Sequence, residues 1–298
     1  MPATPTATID APTFDLHFSV ISDLFRPVTL VPVLIIAVLF GFLGAGHIVT
    51  GPNFWHLLLA GGLLVVANGL SNVANGLGDW VEDSVHPTKQ DRPTVSGVID
   101  PTVLMSVVVI GWGAAVFVSV LFLPIAFTLI YIVILGFAWA YSYPPRLKAR
   151  FPLNMLAIST PRGALGIAAA WVVLGSFWAP ELWGVLAVTV PYVLFGNEGR
   201  NINDVESDRI AGVRTIATIW GESESRDITA LGFIVPSIVV TTAYPDYLIH
   251  DPWLVMTIPL AIIGAYGALH WDGVKVWKLF YLGFALISVL FFLPLVVG

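Results

Sequence analysis

Residues 54–83 read FWHLLLAGGLLVVANGLSNVANGLGDWVED, and this stretch determines the fold class. Residues 54–77 form a mostly apolar segment that is long enough to cross a bilayer, which takes about 20 such residues in an α-helix. The same stretch carries a first polar stripe, Asn68, Asn72, Asn75, Asp79 and Asp83, at spacings of 4, 3, 4 and 4. These spacings put all five side chains on one face of a helix. The stretch therefore predicts a transmembrane helix whose polar face continues into a loop.

The remainder of the chain is also strongly apolar. Of its 298 residues, 57% are hydrophobic and only 11% are charged, whereas soluble domains carry about 25% charged residues. So few charges exclude an ordinary soluble domain and a disordered chain. Nine segments have membrane-spanning character, and they run over 28–49, 54–77, 102–122, 125–142, 153–177, 181–199, 228–245, 252–269 and 279–297. We therefore predict an all-α, polytopic membrane protein with nine transmembrane helices.

Net charge and cysteine content exclude further classes. The formal net charge of -6 argues against a nucleic-acid partner, because phosphate binding needs a basic face. The chain has no cysteine, which excludes disulfides, thiolate metal sites and cysteine nucleophiles. Residues 1–12, rich in Pro, Thr and Ala, are predicted to be disordered. Residues 13–26 are predicted to form an amphipathic helix on the membrane surface.

The basic residues predict the orientation in the membrane. The connections after the first, third, fifth and seventh predicted spans contain no Lys or Arg, whereas the connections on the other side do. Because cytoplasmic loops carry the excess of Lys and Arg, the N-terminus should be cytoplasmic and the C-terminus should lie on the far side. Arg162 is the one basic residue inside a predicted span, and a charge at that depth is costly unless it has a function or a partner.

A second polar stripe follows the sixth predicted span. It consists of Asn197, Asn201, Asp204 and Asp208, spaced 4, 3 and 4. Both Asp pairs, Asp79 with Asp83 and Asp204 with Asp208, are offset by 125 residues, which hints at an internal duplication. On an α-helix Glu198 and Glu206 fall off the face of the second polar stripe, so we leave them out of the predicted site.

The two Asp pairs predict a cation site. Two carboxylates at positions i and i+4 repel each other unless a positive charge lies between them. Hard oxygen ligands suit Mg²⁺, which binds one or two carboxylates together with substrate phosphates. Two facing pairs would thus form a diphosphate site on the cytoplasmic side. Nearby basic residues could neutralise the remaining phosphate charge, and these are Lys89, Arg92, Arg146, Lys148, Arg209 and Arg214.

Three motifs resemble those of the UbiA superfamily of intramembrane prenyltransferases. Residues 75–83, NGLGDWVED, followed by RP at 92–93 and SG at 96–97, look like the first Asp motif of that family. Residues 204–215, DVESDRIAGVRT, followed by Gly221, look like the second. Residues 141–148, YSYPPRLK, resemble a further family stretch. One position departs from the pattern, because Gly76 stands where the family usually has Asp.

The resemblance implies a fold, an activity and a set of site residues. Members of the family have nine helices around a central cavity with a cytoplasmic cap, and residues 13–298 should form one such domain. They move a prenyl chain from an isoprenoid diphosphate to an acceptor. We expect Mg²⁺ to be held by Asp79, Asp83, Asp204 and Asp208. We expect the diphosphate to be bound by Asn75, Lys89, Arg92, Lys148, Arg162, Arg209 and Arg214.

The prenyl cation and the acceptor need further residues. Aromatic faces stabilise cations, and Trp139, Tyr141 and Tyr143 are candidates, although they are also typical of an interfacial aromatic belt. We predict a catalytic role for Tyr141, since it lies in the family-like stretch. Asn68 and Asn72 either line the acceptor pocket or bond neighbouring helices. Arg162 could bind the diphosphate or an acceptor carboxylate, or it could be a structural partner.

Several functions remain open on the sequence alone. The favoured acceptor is an aromatic quinone precursor, and the alternative is an ether-lipid or chlorophyll-type acceptor. A terpene cyclase would use the same ionisation step without an acceptor. A transporter is the remaining class, although its polar groups usually lie near the midplane of the membrane. The expected partners are the diphosphate, a hydrophobic acceptor and the lipid bilayer, and no protein partner is evident.

Overall fold

The computed structural model describes residues 18–86, 88–242 and 252–297, and every regular element in these ranges is a helix. The predictions for residues 1–12 and for the start of the amphipathic segment lie outside the described residues. The α-helices are α1 Phe18–Phe25, α2 Leu30–Ala45, α3 Pro52–Gly78, α4 Trp80–Val85, α5 Pro93–Ser96, α6 Pro101–Phe122, α7 Ile125–Ser142, α8 Leu153–Ser159, α9 Gly166–Trp171, α10 Pro180–Gly196, α11 Val205–Ile210, α12 Ile216–Ile219, α13 Glu222–Thr242, α14 Thr257–His270, α15 Gly273–Phe292 and α16 Pro294–Val297.

The predicted all-α membrane architecture is confirmed. Among the described residues, each predicted span falls mostly on helical residues. Within the described part of the chain, five stretches are long and apolar enough to cross a membrane: Pro52–Gly78, Pro101–Phe122, Ile125–Ser142, Pro252–His270 and Gly273–Val297. The other predicted spans are shorter or less apolar helices, so the count of nine transmembrane helices stays a prediction.

The helices pack closely at small residues in the interior and expose apolar side chains outward. At the crossing of α10 and α13, a Cβ added to Gly232 would lie 2.2 Å from the backbone nitrogen of Gly196. Such close approach of backbones is typical of helices that pack within a bilayer. On α6, by contrast, Ile110 and Phe117 are 71% and 65% exposed. Large exposed apolar side chains on an outer helix are the expected surface for contact with lipid.

The fifth predicted span is not a single regular α-helix. Residues Thr160–Leu165 form a π-helical turn between α8 and α9, and α9 ends at Trp171 rather than near residue 177. Pro161 lies in this turn, and proline has no N–H with which to continue the α-helical hydrogen bonding. The Thr189 hydroxyl on α10 donates a 2.8 Å hydrogen bond to the carbonyl of Gly163 and so ties this turn to α10. The turn carries Arg162.

Candidate active site

The two predicted Asp-bearing segments meet around one polar cavity of about 50 Å³. The chain leaves α3 at Gly78 and re-enters a helix at Trp80, so Asp79 lies at the break. Opposite it, the chain leaves α10 into a 3-10 helix, Asn197–Asn203, which ends beside Asp204. The carboxylates that line the polar cavity are Asp79, Glu82, Glu198, Asp204 and Asp208, and its basic residues are Lys89, Arg92, Lys148 and Arg200.

Asp79 is held by one amide and one ammonium group. The Asn75 Nδ2 donates to Asp79 Oδ2 at 2.6 Å, and the Ser142 hydroxyl fixes the other end of that amide at 3.2 Å. Lys148 Nζ contacts Asp79 Oδ1 and also donates to Glu82 Oε1 at 2.8 Å. Asn75 therefore orients a candidate metal ligand, whereas Lys148 neutralises it.

Asp83 and Asp204 face each other across one lysine. Lys89 Nζ lies 2.7 Å from Asp204 Oδ1 and 3.9 Å from Asp83 Oδ1. Arg92 donates to the other oxygen of Asp83 at 2.6 Å, and Asp83 itself is buried outside the polar cavity. Burial opposes ionisation of Asp204, but Lys89, Arg200 and His86 outweigh it and lower the pKa of that carboxyl. The sequence predicted a divalent cation at each Asp pair; in the structure it is the ammonium group of Lys89 that lies between Asp83 and Asp204, and the predicted metal ligation stays a prediction.

Asp208 differs from the other three aspartates. Among the described residues its carboxylate makes no ion pair and no side-chain hydrogen bond. Burial, and then the neighbouring charge of Asp204, raise its pKa to about 7 from the ordinary 3.8. Asp208 is half-buried, and a carboxylate that has lost part of its water without a close counter-ion is costly. Asp208 is therefore the aspartate with an uncompensated place for a cation.

Glu198 belongs to the polar cavity, and its exclusion from the predicted site was wrong. That exclusion assumed α-helical winding, but residues 197–203 form a 3-10 helix. With three residues per turn, Glu198, Asn201 and Asp204 lie on one face. The carboxylate of Glu198 is 1% exposed and accepts a 2.9 Å hydrogen bond from Asn201. Glu206, in contrast, is exposed and pairs with Arg209, which agrees with leaving Glu206 out of the predicted site.

A second, apolar cavity of about 170 Å³ adjoins the polar one. Both cavities are lined by Tyr141, Ile158 and Arg200. Arg26, Arg162 and Arg200 are the basic residues in the apolar cavity, and none of the described residues that line it is acidic. Three guanidinium groups in a mostly apolar space provide a site for an anionic group.

The sequence analysis did not identify two of these arginines, Arg26 and Arg200, as site residues. Arg200 lies four residues before Asp204, and that spacing could have placed it beside the second polar stripe. Arg26 carries no such signal, because it stands in the connection between α1 and α2, with a left-handed backbone at φ 52. Arg162 was predicted, and its Nη1 lies 3.2 Å from the hydroxyl of Tyr281 on α15. Tyr281 also lines the apolar cavity and was missed.

The predicted acceptor and aromatic residues are distributed as follows. Asn68 and Asn72 line the apolar cavity, and their amides also bond Thr29 and Phe25 at 3.0–3.3 Å. They therefore connect neighbouring segments, and their role in an acceptor pocket stays a prediction. Tyr141 lies at the junction of the two cavities. Trp139 is exposed and stacks on Tyr143, whose hydroxyl bonds the carbonyl of Ala74, so these two rings act in packing.

Three of the basic residues that the sequence predicted for the site line neither cavity. Arg209 is 60% exposed and pairs with Glu206 on the surface of α11. Arg214 is also exposed and does not line either cavity. Arg146 pairs with Glu82 at 2.5 Å instead of facing the polar cavity directly. The structure therefore gives no support for diphosphate binding by Arg209 and Arg214, which stays a prediction.

The oxygen-rich donor set fits Mg²⁺ by its chemistry. Carboxylate oxygens of Asp79, Asp204 and Asp208 line one small cavity, and such hard ligands suit that ion. Among the described residues, no three acidic or histidine side chains already form a group that could hold a metal. In the structure Asp204 and Asp79 instead pair with the ammonium groups of Lys89 and Lys148.

Fold and cavities together define a class of protein. It is an integral membrane bundle of helices in which an acidic and basic polar cavity adjoins an apolar cavity that contains arginines. Such an arrangement can hold a highly charged group at one end and a hydrocarbon at the other.

Comparisons with known proteins agree with this class. The model of the UbiA prenyltransferase family matches residues 33–295. A digeranylgeranylglyceryl phosphate synthase of Methanopyrus kandleri is 25% identical over 183 residues, which cover 59% of this chain and 62% of that protein. The match thus spans only about three fifths of the relative's length. A solved UbiA homologue of Archaeoglobus fulgidus, bound to GPP and Mg²⁺, superposes with a TM-score of 0.74 at 18% identity and covers 93% of this chain and 100% of its own.

A second solved structure shares the fold. It is described as a study of the biosynthesis of digeranylgeranylglyceryl phosphate synthase in membranes, and it matches with a TM-score of 0.65 at 17% identity over 93% of this chain and 98% of its own. Because the family model covers most of the sequence, the chain belongs to the UbiA prenyltransferase family. The resemblance seen in the three sequence motifs is confirmed.

Proposed function

We propose that this protein is a Mg²⁺-dependent prenyltransferase, which moves a prenyl group from an isoprenoid diphosphate to a lipid-soluble acceptor. One observation carries the proposal. Arg200 and Tyr141 belong both to the polar cavity and to the apolar cavity. A diphosphate in the first and a hydrocarbon chain in the second would place the bond between them at these two residues.

The polar cavity suits a diphosphate because its carboxylates and cations alternate. Lys89, Lys148 and Arg92 are paired with aspartates. Each could turn to a phosphate oxygen once a divalent cation neutralises those aspartates. Mg²⁺ held by Asp79, Asp204 and Asp208 would supply the Lewis acid that stabilises the departing diphosphate. Arg200, which makes no ion pair among the described residues, is free to bind phosphate directly.

The reaction itself is a substitution at the allylic carbon. The bond from that carbon to the diphosphate oxygen breaks, and its electron pair leaves with the diphosphate. A new bond forms to the acceptor, which loses a proton. The ring of Tyr141 at the cavity junction could stabilise the developing cation by about 0.5–2 kcal/mol. The apolar walls would keep water from the cation, so that prenyl alcohol does not form.

The arginines of the apolar cavity favour an acidic acceptor. Arg26 and Arg162 line the apolar cavity together with Asn68 and Asn72, and none of the described residues that line this cavity carries a carboxylate. They could bind the carboxylate of an aromatic quinone precursor or the phosphate of a glycerol ether lipid. The activities named for the relative of Methanopyrus kandleri and for one solved neighbour support the ether-lipid phosphate. We therefore place the ether lipid ahead of the quinone precursor favoured by the sequence.

A product assay tests this proposal. Purified protein would be incubated with radiolabelled geranylgeranyl diphosphate, Mg²⁺ and one acceptor at a time. We expect label in a prenylated glycerol ether phosphate, less or none with a hydroxybenzoate, and none with a neutral glycerol ether. A labelled cyclic hydrocarbon formed without any acceptor would instead identify a terpene cyclase. Transfer to the neutral glycerol ether at the same rate would contradict the acidic-acceptor assignment.

A further inference from the structure

Glu82 is a buried acid whose role none of the assignments above explains. It lies on α4, three residues after Asp79, and its side chain lines the polar cavity. The residue is 7% exposed. Oε1 of Glu82 accepts from Arg146 Nη2 at 2.5 Å and from Lys148 Nζ at 2.8 Å, whereas Oε2 has no hydrogen-bond partner. The carboxylate of Glu82 thus pairs with both Arg146 and Lys148.

Lys148 is shared between this glutamate and a candidate metal ligand. Its ammonium group contacts both Asp79 and Glu82 and is itself buried. A divalent cation and the ammonium group of Lys148 cannot both bind Asp79 Oδ1, because like charges at contact distance repel. Asp79 can bind metal only when Lys148 has another counter-ion, since an unpaired buried charge is strongly destabilising. Glu82 is the carboxylate already within reach.

The net charge of this cluster rises from zero to +1 when Asp79 pairs with a metal instead of with Lys148. Asp79 and Glu82 together balance Lys148 and Arg146. Without Asp79, the remaining three groups carry one net positive charge beside the polar cavity. That charge is suited to a phosphate oxygen.

We propose that Glu82 is a positioning residue, which retains Lys148 at the edge of the polar cavity and so releases Asp79 for the divalent cation. The proposal rests on the proposed function, because it assumes a metal at Asp79. It assigns Glu82 an indirect role through Lys148, and not a place among the metal ligands. Removing Lys148 should therefore remove the need for Glu82.

Mn²⁺ binding, measured by electron paramagnetic resonance on purified protein, tests this without relying on turnover. The set comprises the wild type, Glu82→Gln, Lys148→Met and the double variant. We expect Glu82→Gln to weaken Mn²⁺ binding by about 10–100-fold, as loss of an indirect partner of a metal site does. The double variant should bind Mn²⁺ as tightly as Lys148→Met alone. Glu206→Gln, on the exposed face of α11, serves as the matched control and should change nothing.

Each outcome decides the role of Glu82. A double variant that binds Mn²⁺ as weakly as Glu82→Gln would overturn the proposal, because that result indicates a direct ligand or a general structural defect. Lys148→Gln replaces Lys148→Met if the methionine variant does not fold, and thermal unfolding checks every variant. Glu82→Asp, which keeps the charge, should restore part of the lost affinity for Mn²⁺. If the wild type bound no Mn²⁺ at all, the proposed function would fail as well, so the two failures are distinguishable.

Discussion

At the scale of residues, the site is defined by which charges have partners and which do not. Asp79, Asp83 and Asp204 are each neutralised by a lysine or an arginine. Asp208 has no such partner among the described residues and shares its surroundings with Asp204. The three paired aspartates must exchange an ammonium or guanidinium group for a metal, whereas Asp208 has nothing to exchange. Asp208 is thus the natural first contact for an incoming cation.

The unpaired state of Asp208 predicts a pH-dependent change in stability. Its folded-state pKa of about 7 lies above the ordinary 3.8. The folded protein therefore holds a proton that the unfolded chain has already released, and the destabilisation due to Asp208 grows as pH rises from about 4 to about 7, then levels off. In metal-free protein, Asp208→Asn should raise the melting temperature, and by more at about pH 8 than at about pH 5.

Thermal unfolding in detergent at the two pH values measures this effect. Asp91, an exposed residue in the loop between α4 and α5, provides the control, and Asp91→Asn should shift the melting temperature equally little at both pH values. If Asp208→Asn raised the melting temperature by the same amount at both pH values, or by less at the higher pH, the assignment of Asp208 as an unpaired carboxylate would be contradicted.

Site residues could be predicted from the sequence where they lie on a regular helix. The first polar stripe continues from α3 into α4, so its spacing correctly placed Asn68, Asn72, Asn75 and Asp79 along cavity walls. Glu198 was missed because tighter 3-10 winding brings it to the face of Asp204, and no sequence spacing reports that change of winding. Arg26 was missed because a connecting segment, not helical periodicity, brings it to the apolar cavity.

At the scale of elements, the π-helical turn Thr160–Leu165 decides where Arg162 lies. A π turn inserts an extra residue into a helix, and such turns often occur at functional sites. Here the turn presents Arg162 to the apolar cavity and to the hydroxyl of Tyr281. Apolar composition predicted a helix over this segment, but composition carries no information on the turn. The proline at 161 was the available signal for an irregularity.

Thr189 tests whether this turn positions Arg162. Its hydroxyl bonds the carbonyl of Gly163 at 2.8 Å and is fully buried. Thr189→Val should cost about 1 kcal/mol of stability, as the loss of one interhelical hydrogen bond in a membrane does. It should also raise the KM of the acceptor, because Arg162 loses its fixed position, while the KM of the diphosphate changes little.

Steady-state kinetics on Thr189→Val and Thr189→Ser distinguish a change in the position of Arg162 from a loss of packing at Thr189. The serine variant keeps the hydroxyl, so its acceptor KM should stay near that of the wild type even if some stability is lost with the methyl group. Equal increases of the acceptor KM in both variants would show that the hydrogen bond to Gly163 does not position Arg162.

At the scale of the whole molecule, the two polar stripes lie at one end of the bundle and meet there through Lys89. This agrees with the prediction that both Asp-bearing loops share one side of the membrane. The orientation itself depends on the distribution of Lys and Arg along the sequence and stays a prediction. The amino-acid composition predicted a membrane protein, because a chain in which 57% of the residues are hydrophobic is suited to a lipid environment.

Single cysteines test the orientation, since the natural chain contains none. Gln90→Cys lies in the exposed loop beside the polar cavity, and Ser176→Cys lies in an exposed connection between α9 and α10. In intact cells, a membrane-impermeant thiol reagent should label Ser176→Cys and leave Gln90→Cys unlabelled until the membrane is opened. The reverse pattern would overturn the predicted cytoplasmic position of the site.

The central claim is that Asp79 and Asp204, on opposite sides of one polar cavity, hold Mg²⁺ for the departure of a diphosphate. The most direct measurement is transfer of a radiolabelled prenyl group by purified protein with and without a chelator. We expect turnover to stop in the chelator, to return with excess Mg²⁺, and to be poorly supported by Ca²⁺, which is larger and prefers more ligands. Asp79→Asn and Asp204→Asn should each lower the rate by about 10²–10³-fold, whereas Asp91→Asn should not. Full turnover in chelator, or an equal loss from Asp91→Asn, would contradict the claim.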